Sequence, residues 1–260
     1  MNELALFAGC GGLQLATQHL LGFRTICYVE KNPYCIEVLK ARIQDRLLDD
    51  APIWDDARTF DGLPWAGKVD ILTAGFPCQP WSISGKQQGE FDERNLWSDT
   101  LRIIRQIRPE WILLENVPNL LFPLRGRDPY FGQILSGLAG SGYDARWGCL
   151  SASSFGASHK RRRLWIVAHA HGAGWPLILH SHAPHSQVEN PLVFRRGKKL
   201  LSPLDAIRSL VSQLEKSLGE PSVCGNDDGI PNRVERLKAV GNGVVPIVAE
   251  AAWQILSGQE

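Results

Sequence analysis

The stretch "GFPCQPWS", residues 75–82, sets Cys78 in a turn stiffened by Pro77 and Pro80, directly after the apolar run "VDILTA". Each proline fixes φ near about −65°, and Gly75 permits a sharp exit from a strand. Such a turn is suited to presenting a thiol. The alternative, from these eight residues alone, is a packed and inert cysteine, because thiols are commonly buried and their reactivity depends on their surroundings. Glu115 closes a second apolar run in "WILLENVPNL". The apolar residues before it put the carboxyl in a partly buried setting, which raises its pKa and suits it to proton donation; a structural glutamate paired with an arginine fits the same pattern. In "SHKRRRLWIVA" a basic run, His159 to Arg163, leads straight into an apolar strand. Strand alternation sends Arg161 and Arg163 to one side and Arg162 to the other.

A second set of residues has the types and spacing of a nucleotide site. "LALFAGCGGLQLA" reads as strand, glycine loop and helix, and Gly9, Gly11 and Gly12 allow a ligand close to the backbone at a helix N-terminus. The loop matches neither GxGxxG nor a phosphate loop ending in GKS or GKT. Glu30 ends the next strand candidate, about 20 residues on, where nucleotide-type sheets bind the ribose hydroxyls; a solvated surface glutamate is the alternative. Together the loop and Glu30 favour an adenosine-bearing cofactor. Asp56, in "PIWDDARTF", lies in the loop before the fourth strand, facing the same crevice, and also fits a turn or cap.

These residues need a scaffold, and the first two thirds of the chain supply one. "ELALF", "FRTICYVE", "VDILTAG", "PEWILLENV" and "RRLWIVAHA" read as strands, and "LQLATQHLL", "NPYCIEVLKARI", "LWSDTLRIIRQI" and "YFGQILSGLAG" as helices, with Asn32 as N-cap and Pro33 at the first helical position. Strand–helix alternation predicts a mostly parallel sheet with helices on both faces. Residues 171–203 are rich in His, Pro, Gly, Ser and basic residues; "LDAIRSLVSQLEKSL" is an amphipathic helix, and "RVERLKAVGNGVVPIVAEAAWQIL" a turn and terminal helix. The 260 residues are 44% hydrophobic and 21% charged, as in an ordinary globular protein with a sizeable core. The net charge of +1 excludes a polycation, so any nucleic-acid contact rests on local clusters such as "FRRGKKL". No run approaches the ~18 apolar residues of a membrane span, and no secretory leader is evident. Six cysteines without CxxC pairs suggest reduced thiols in the cytoplasm. The histidines at 169, 171, 180, 182 and 185 lack cysteines at finger spacing, so no metal site is expected.

In order, the chain carries "FAGCGG", "YVEKN", "WDDA", "GFPCQPWS", "RNLW", "ENVPN", "SHKRRRLWIV" and "RLKAVGNGVVP". This set resembles the cytosine-C5 DNA methyltransferase family, which includes bacterial restriction-modification and phage enzymes, over residues 4–168 and 230–256. The resemblance implies an α/β doubly wound, mostly parallel sheet of the S-adenosylmethionine-dependent methyltransferase type with a small recognition subdomain. Residues 1–168 plus 230–260 would form the catalytic and cofactor-binding domain, and 169–229 a target-recognition region that is short for the family.

The same resemblance implies S-adenosyl-L-methionine as cofactor. Phe7, Gly9, Gly11, Gly12 and Pro77 would line it, Glu30 would hold the ribose, Asp56 the adenine amine, and Asn242 and Val244 would close over the methionine end. Cys78 would attack C6 of a flipped-out cytosine, Glu115 would hold the exocyclic amine and N3, and Arg161 and Arg163 would be the family's arginine pair. His159 stands where the family usually has glutamine. "PWSISGKQQGEFDERN" looks like the loop that closes on the base. The implied partners are double-stranded DNA and a cognate restriction endonuclease, with the enzyme acting as a monomer and no membrane involved. Two alternatives remain open at this point, the same chemistry on RNA and a non-catalytic DNA-binding relative.

Overall fold

The computed structural model describes residues 1–77, 96–123, 129–171 and 243–258. Contacts group Met1–Ala183 with Ala239–Glu260 as one unit; residues 184–238 lie outside the described residues. The same holds for the expected helix in "LDAIRSLVSQLEKSL", for "FRRGKKL" and for the closing loop after Cys78.

The chain begins with β1 (Asn2–Leu6), α1 (Gly12–His19), β2 (Arg24–Val29), α2 (Pro33–Gln44) and the short β3 (Ile53–Trp54). It continues with β4 (Ile71–Ala74), α3 (Trp97–Ile107), β5 (Trp111–Asn116), α4 (Tyr130–Ala139), β6 (Tyr143–Ser151), β7 (Arg162–Ala170) and α5 (Pro246–Ser257). The helix boundaries follow local chemistry. Asn32 caps α2, its Oδ1 accepting from the amides of Tyr34 and Cys35 with Pro33 at the first position, as the sequence predicts. α4 runs out at Gly140.

The sheet order is β3-β2-β1-β4-β5-β7-β6. Strands β1 to β5 pair parallel, while β7 runs antiparallel to both β5 and β6. β4 and β5 are buried along their whole length because helices cover both faces. Ile112 and Leu114 pack into one core with Ile103, Ile104 and Ile107 of α3 and Ile134 of α4. Trp111 and Leu113 pack into the other, with Leu13 of α1 and Val248 and Trp253 of α5. The alternation along β5 thus divides the apolar content between two layers. β6 was not foreseen: its residues are mostly half-exposed and carry no apolar run.

A buried polar cluster crosses the sheet at Glu3, which is wholly inaccessible to solvent. Its carboxylate accepts from the hydroxyls of Thr17, Thr25 and Thr73 and from Gln14, tying α1, β2 and β4 to β1. Strand order reverses between β1 and β4, so a crevice opens at their carboxyl ends, the place where open α/β sheets bind ligands. Among the described residues no helix is long and apolar enough to cross a membrane.

Candidate active site

The loop leaving β1 turns sharply through Phe7 (φ 53°), Gly9 (φ 56°) and Gly11 (φ 78°) before α1 begins. A left-handed conformation costs a non-glycine residue about 1–2 kcal/mol, and among the described residues Phe7 and Arg161 (φ 27°) bear it at expected site positions. The three glycines differ in what they face. Space around Gly9 is open. A Cβ at Gly11 would lie 2.6 Å from the Leu48 Cδ1 atom, and one at Gly12 would lie 3.1 Å from the backbone nitrogen and oxygen of Val244. Gly11 and Gly12 therefore make room for protein. Only at Gly9 does the missing side chain leave room for a ligand.

Glu30 follows β2 directly and spans the mouth of this loop. One carboxylate oxygen accepts from the Gly9 amide and the other from the Asn32 amide, both at 2.7 Å. A carboxylate has about four acceptor positions, so each oxygen keeps capacity for a further donor. Asp56 lies after β3, with Oδ2 2.7 Å from the Lys31 Nζ and Oδ1 accepting from the Arg58 amide at 3.0 Å. Burial pushes the Asp56 pKa up, but the Lys31 ammonium and the Arg58 amide outweigh it and hold the carboxyl below its usual range. Lys31 was not singled out in the sequence; its place immediately after Glu30 was the available signal.

On the other side of the crevice, Glu115 sits at the carboxyl end of β5, its side chain only 11% exposed. Arg163 Nε lies 2.9 Å from Glu115 Oε1. Burial raises the Glu115 pKa, against the lowering pull of Arg163 and Arg161, and the net direction is upward. Burial and the like charge of Arg163 lower Arg161, which Glu115 opposes. Both guanidiniums thus act on one carboxyl, and not through strand alternation alone. β7 begins at Arg162, and Arg161 precedes it in a left-handed turn.

Asn116, not picked out as a site residue, links the end of β5 to the segment leaving β4. Its Nδ2 donates to the Phe76 carbonyl at 3.0 Å, and its Oδ1 accepts from the Val117 amide. A Cβ at Gly75 would lie 3.6 Å from Glu115 Oε2. The segment Gly75–Pro77 is thereby held against the end of β5. Cys78 and Asn242 lie outside the described residues, whereas Pro77 and Val244 are within them, Val244 against Gly12.

The chain matches the family described as C-5 cytosine-specific DNA methylase over residues 1–221. It is 34% identical over 167 residues to the type II methyltransferase M.NgoMIV of Neisseria gonorrhoeae, covering 64% of this chain and 51% of that protein. It is 27% identical over 223 residues to the type II methyltransferase M.AquIA of Picosynechococcus sp., covering 81% of this chain and 88% of that one. The chain therefore spans about half the length of the first relative and most of the second. Among solved structures, it resembles DNMT2 of Spodoptera frugiperda (an E260A/E261A/K263A mutant) with a TM-score of 0.55 and 20% identity, over 70% of this chain and 53% of that one. It resembles the Entamoeba histolytica methyltransferase EhMeth with a TM-score of 0.63 and 14% identity, over 98% and 97%. These structural likenesses establish a shared fold.

Proposed function

The chain belongs to the C-5 cytosine-specific DNA methylase family, and from that premise we propose that it transfers a methyl group from S-adenosylmethionine to C5 of a cytosine in double-stranded DNA. The observation that carries this reading is the seating of Gly75 and Phe76, shortly before Cys78, against Glu115 and Asn116 at the end of β5, where Glu115 pairs with Arg163. A nucleophile and an acid on one cytosine ring require this closeness.

The residues at the β1–β2 end fit an adenosine: Gly9 leaves open space, and the Glu30 carboxylate beside it keeps acceptor capacity for two vicinal hydroxyls. Asp56 would accept from the adenine amine, with Phe7 and Pro77 as apolar lining and the segment containing Asn242 and Val244 closing the methionine end. When bound, the cofactor supplies an electrophilic methyl group for C5.

This chain's residues do the rest. The Cys78 thiolate adds to C6, and the electron pair of the C5–C6 bond moves to C5. Sulfur suits this step because it is strongly nucleophilic at modest pKa and leaves readily. Glu115, whose pKa burial raises, would donate to N3 and accept from the exocyclic amine, drawing charge from the ring as the thiolate attacks. Arg163 pairs with the carboxyl, and Arg161 would meet the cytosine O2. After C5 has taken the methyl group, leaving S-adenosylhomocysteine, its proton would pass to water, the C5–C6 double bond would reform and Cys78 would depart as the thiolate. The base must leave the duplex for this, since stacked ring carbons are inaccessible. Residues 169–229 would read the target sequence. The type II relatives extend the proposal to a partner endonuclease of the same specificity.

A duplex carrying 5-fluorocytosine tests the whole scheme, because fluorine cannot leave as a proton does. With labelled S-adenosylmethionine, a denaturation-resistant protein–DNA adduct that disappears in Cys78→Ala is the expected result. Absence of an adduct on DNA, with one forming on 5-fluorocytosine RNA, would overturn the DNA substrate and keep the chemistry.

A further inference from the structure

A pair of thiols behind the cofactor loop takes no part in this scheme. Cys10 sits between Gly9 and Gly11, and Cys35 lies in the first turn of α2, three residues past the Asn32 cap. Their sulfurs are 3.8 Å apart, with Cys10 partly exposed and Cys35 buried. Arg42, farther along α2, donates from its guanidinium to the Cys10 carbonyl oxygen, which fastens the loop to the helix at that residue.

We propose that Cys10 and Cys35 form a reversible disulfide site, oxidised by small-molecule disulfides of the glutathione type, and that closing the bond weakens ligand binding at the loop. The second half rests on the reading of Glu30 and Gly9 as part of an S-adenosylmethionine site. The Cys10 thiolate attacks one sulfur of the reagent, whose S–S bond breaks and releases one thiol. The Cys35 thiol then gives up its proton and attacks the Cys10 sulfur, releasing the second. Two cysteine thiols lose two protons and two electrons, and one small disulfide becomes two thiols.

The order follows from access and from charge. Cys10 is the exposed member, and the Cys35 thiol together with Arg42 holds it below the ordinary thiol range against burial and Glu30. Contact with Cys10 and burial push Cys35 upward, as befits the thiol that acts second. A disulfide needs about 2.05 Å between sulfurs, so the two sulfurs must approach by roughly 1.8 Å, through side-chain rotation together with movement of the loop against the start of α2. Both are tied to the same carboxylate, through the Gly9 and Asn32 amides on the two oxygens of Glu30. Closing the bond therefore displaces the group proposed to hold the ribose.

The test equilibrates the full chain in glutathione redox buffers, quenches with N-ethylmaleimide and maps peptides by mass, while calorimetry reads S-adenosylmethionine affinity. We expect a Cys10–Cys35 cross-linked peptide, an affinity about tenfold weaker in the oxidised form, and recovery with dithiothreitol. By linkage, saturating S-adenosylmethionine should move the midpoint potential of the pair about 30 mV more positive. Cys35→Ser should keep the reduced affinity in oxidising buffer, and Cys10→Ser serves equally if the first variant folds poorly. Glutathione on Cys10 without the cross-link would overturn the site. A cross-link with unchanged affinity would overturn its coupling to the loop. If the reduced protein does not bind S-adenosylmethionine at all, the cofactor reading falls, and the disulfide stands or falls on the cross-linked peptide.

Discussion

The two sides of the crevice are built differently. On the β1–β3 side the polar groups are held by main-chain amides: Glu30 by Gly9 and Asn32, and Asp56 in part by Arg58. On the β5–β7 side the side chains hold one another, Glu115 with Arg163 and under the influence of Arg161. Amide-held acceptors are fixed by the course of the chain and suit recognition of a ligand of constant shape. A carboxyl balanced between burial and two guanidiniums has a proton whose position depends on its surroundings, which suits chemistry. Substitutions on the first side should therefore act on affinity, and those on the second on rate and pH dependence.

Glu115→Gln gives the largest expected effect. Loss of the positioned acid should lower kcat/KM by about 10²–10⁴-fold, while S-adenosylmethionine affinity by calorimetry stays within about twofold, as the separation of the two sides requires. The same substitution should alter stability against pH. The folded pKa of Glu115 lies above its unfolded value, so its contribution is fully present below the unfolded pKa and is lost as pH rises through the folded one. Urea titrations across that window should show a shallower decline in the Gln variant. A parallel loss of cofactor affinity would mean that the two sides are coupled.

Arg163→Met comes next. Removing the cation that lowers Glu115 should raise its pKa further, moving the alkaline limb of the kcat/KM profile to higher pH, with about 1–3 kcal/mol of stability lost because an ion pair is broken in a largely buried place. An unmoved limb would assign Arg163 to packing alone. On the other side, Glu30→Ala should weaken S-adenosylmethionine binding about 10–100-fold, because two loop amides lose their acceptor along with the ribose proposed to bind there. Turnover at saturating cofactor should change far less; an equal fall in kcat would break the division.

The parts of this architecture legible in the sequence were those written in local order. The parallel strands, the Asn32 cap and the glycine loop each depend on residues within one turn or one strand, and the structure has them where the patterns lie. The candidate residues Glu30 and Glu115 were legible because they end apolar runs, and a strand end at the carboxyl edge is a place for ligands. What was missed depends on distant partners. Asn116 reads as an unremarked neighbour of Glu115 until it meets the Phe76 carbonyl 40 residues away. Glu3 stands out in no pattern of the sequence until the hydroxyls of three threonines from other elements meet its carboxylate. Strand alternation was an incomplete basis for aiming Arg161, since periodicity does not foresee a left-handed residue just before the strand.

The smallest expected effect is also the sharpest test of the comparison. Lys31 and Asp56 form an ion pair on the β1–β3 side of the site, with the Lys31 side chain 63% exposed and that of Asp56 20% exposed. Exposed pairs contribute about 0–1 kcal/mol and are screened by salt. Lys31→Ala should therefore shift stability by less than about 1 kcal/mol, and the Asp56 carboxyl should rise toward its ordinary pKa while staying ionised near neutrality. It also frees Oδ2 for a ligand amine, so S-adenosylmethionine affinity should rise by at most about fivefold, a gain that high salt reproduces in the unmodified protein. Calorimetry at low and high ionic strength reads both. If Lys31→Ala instead weakens binding tenfold or more, charge and not main-chain placement holds this side as well, and the contrast between the two sides fails.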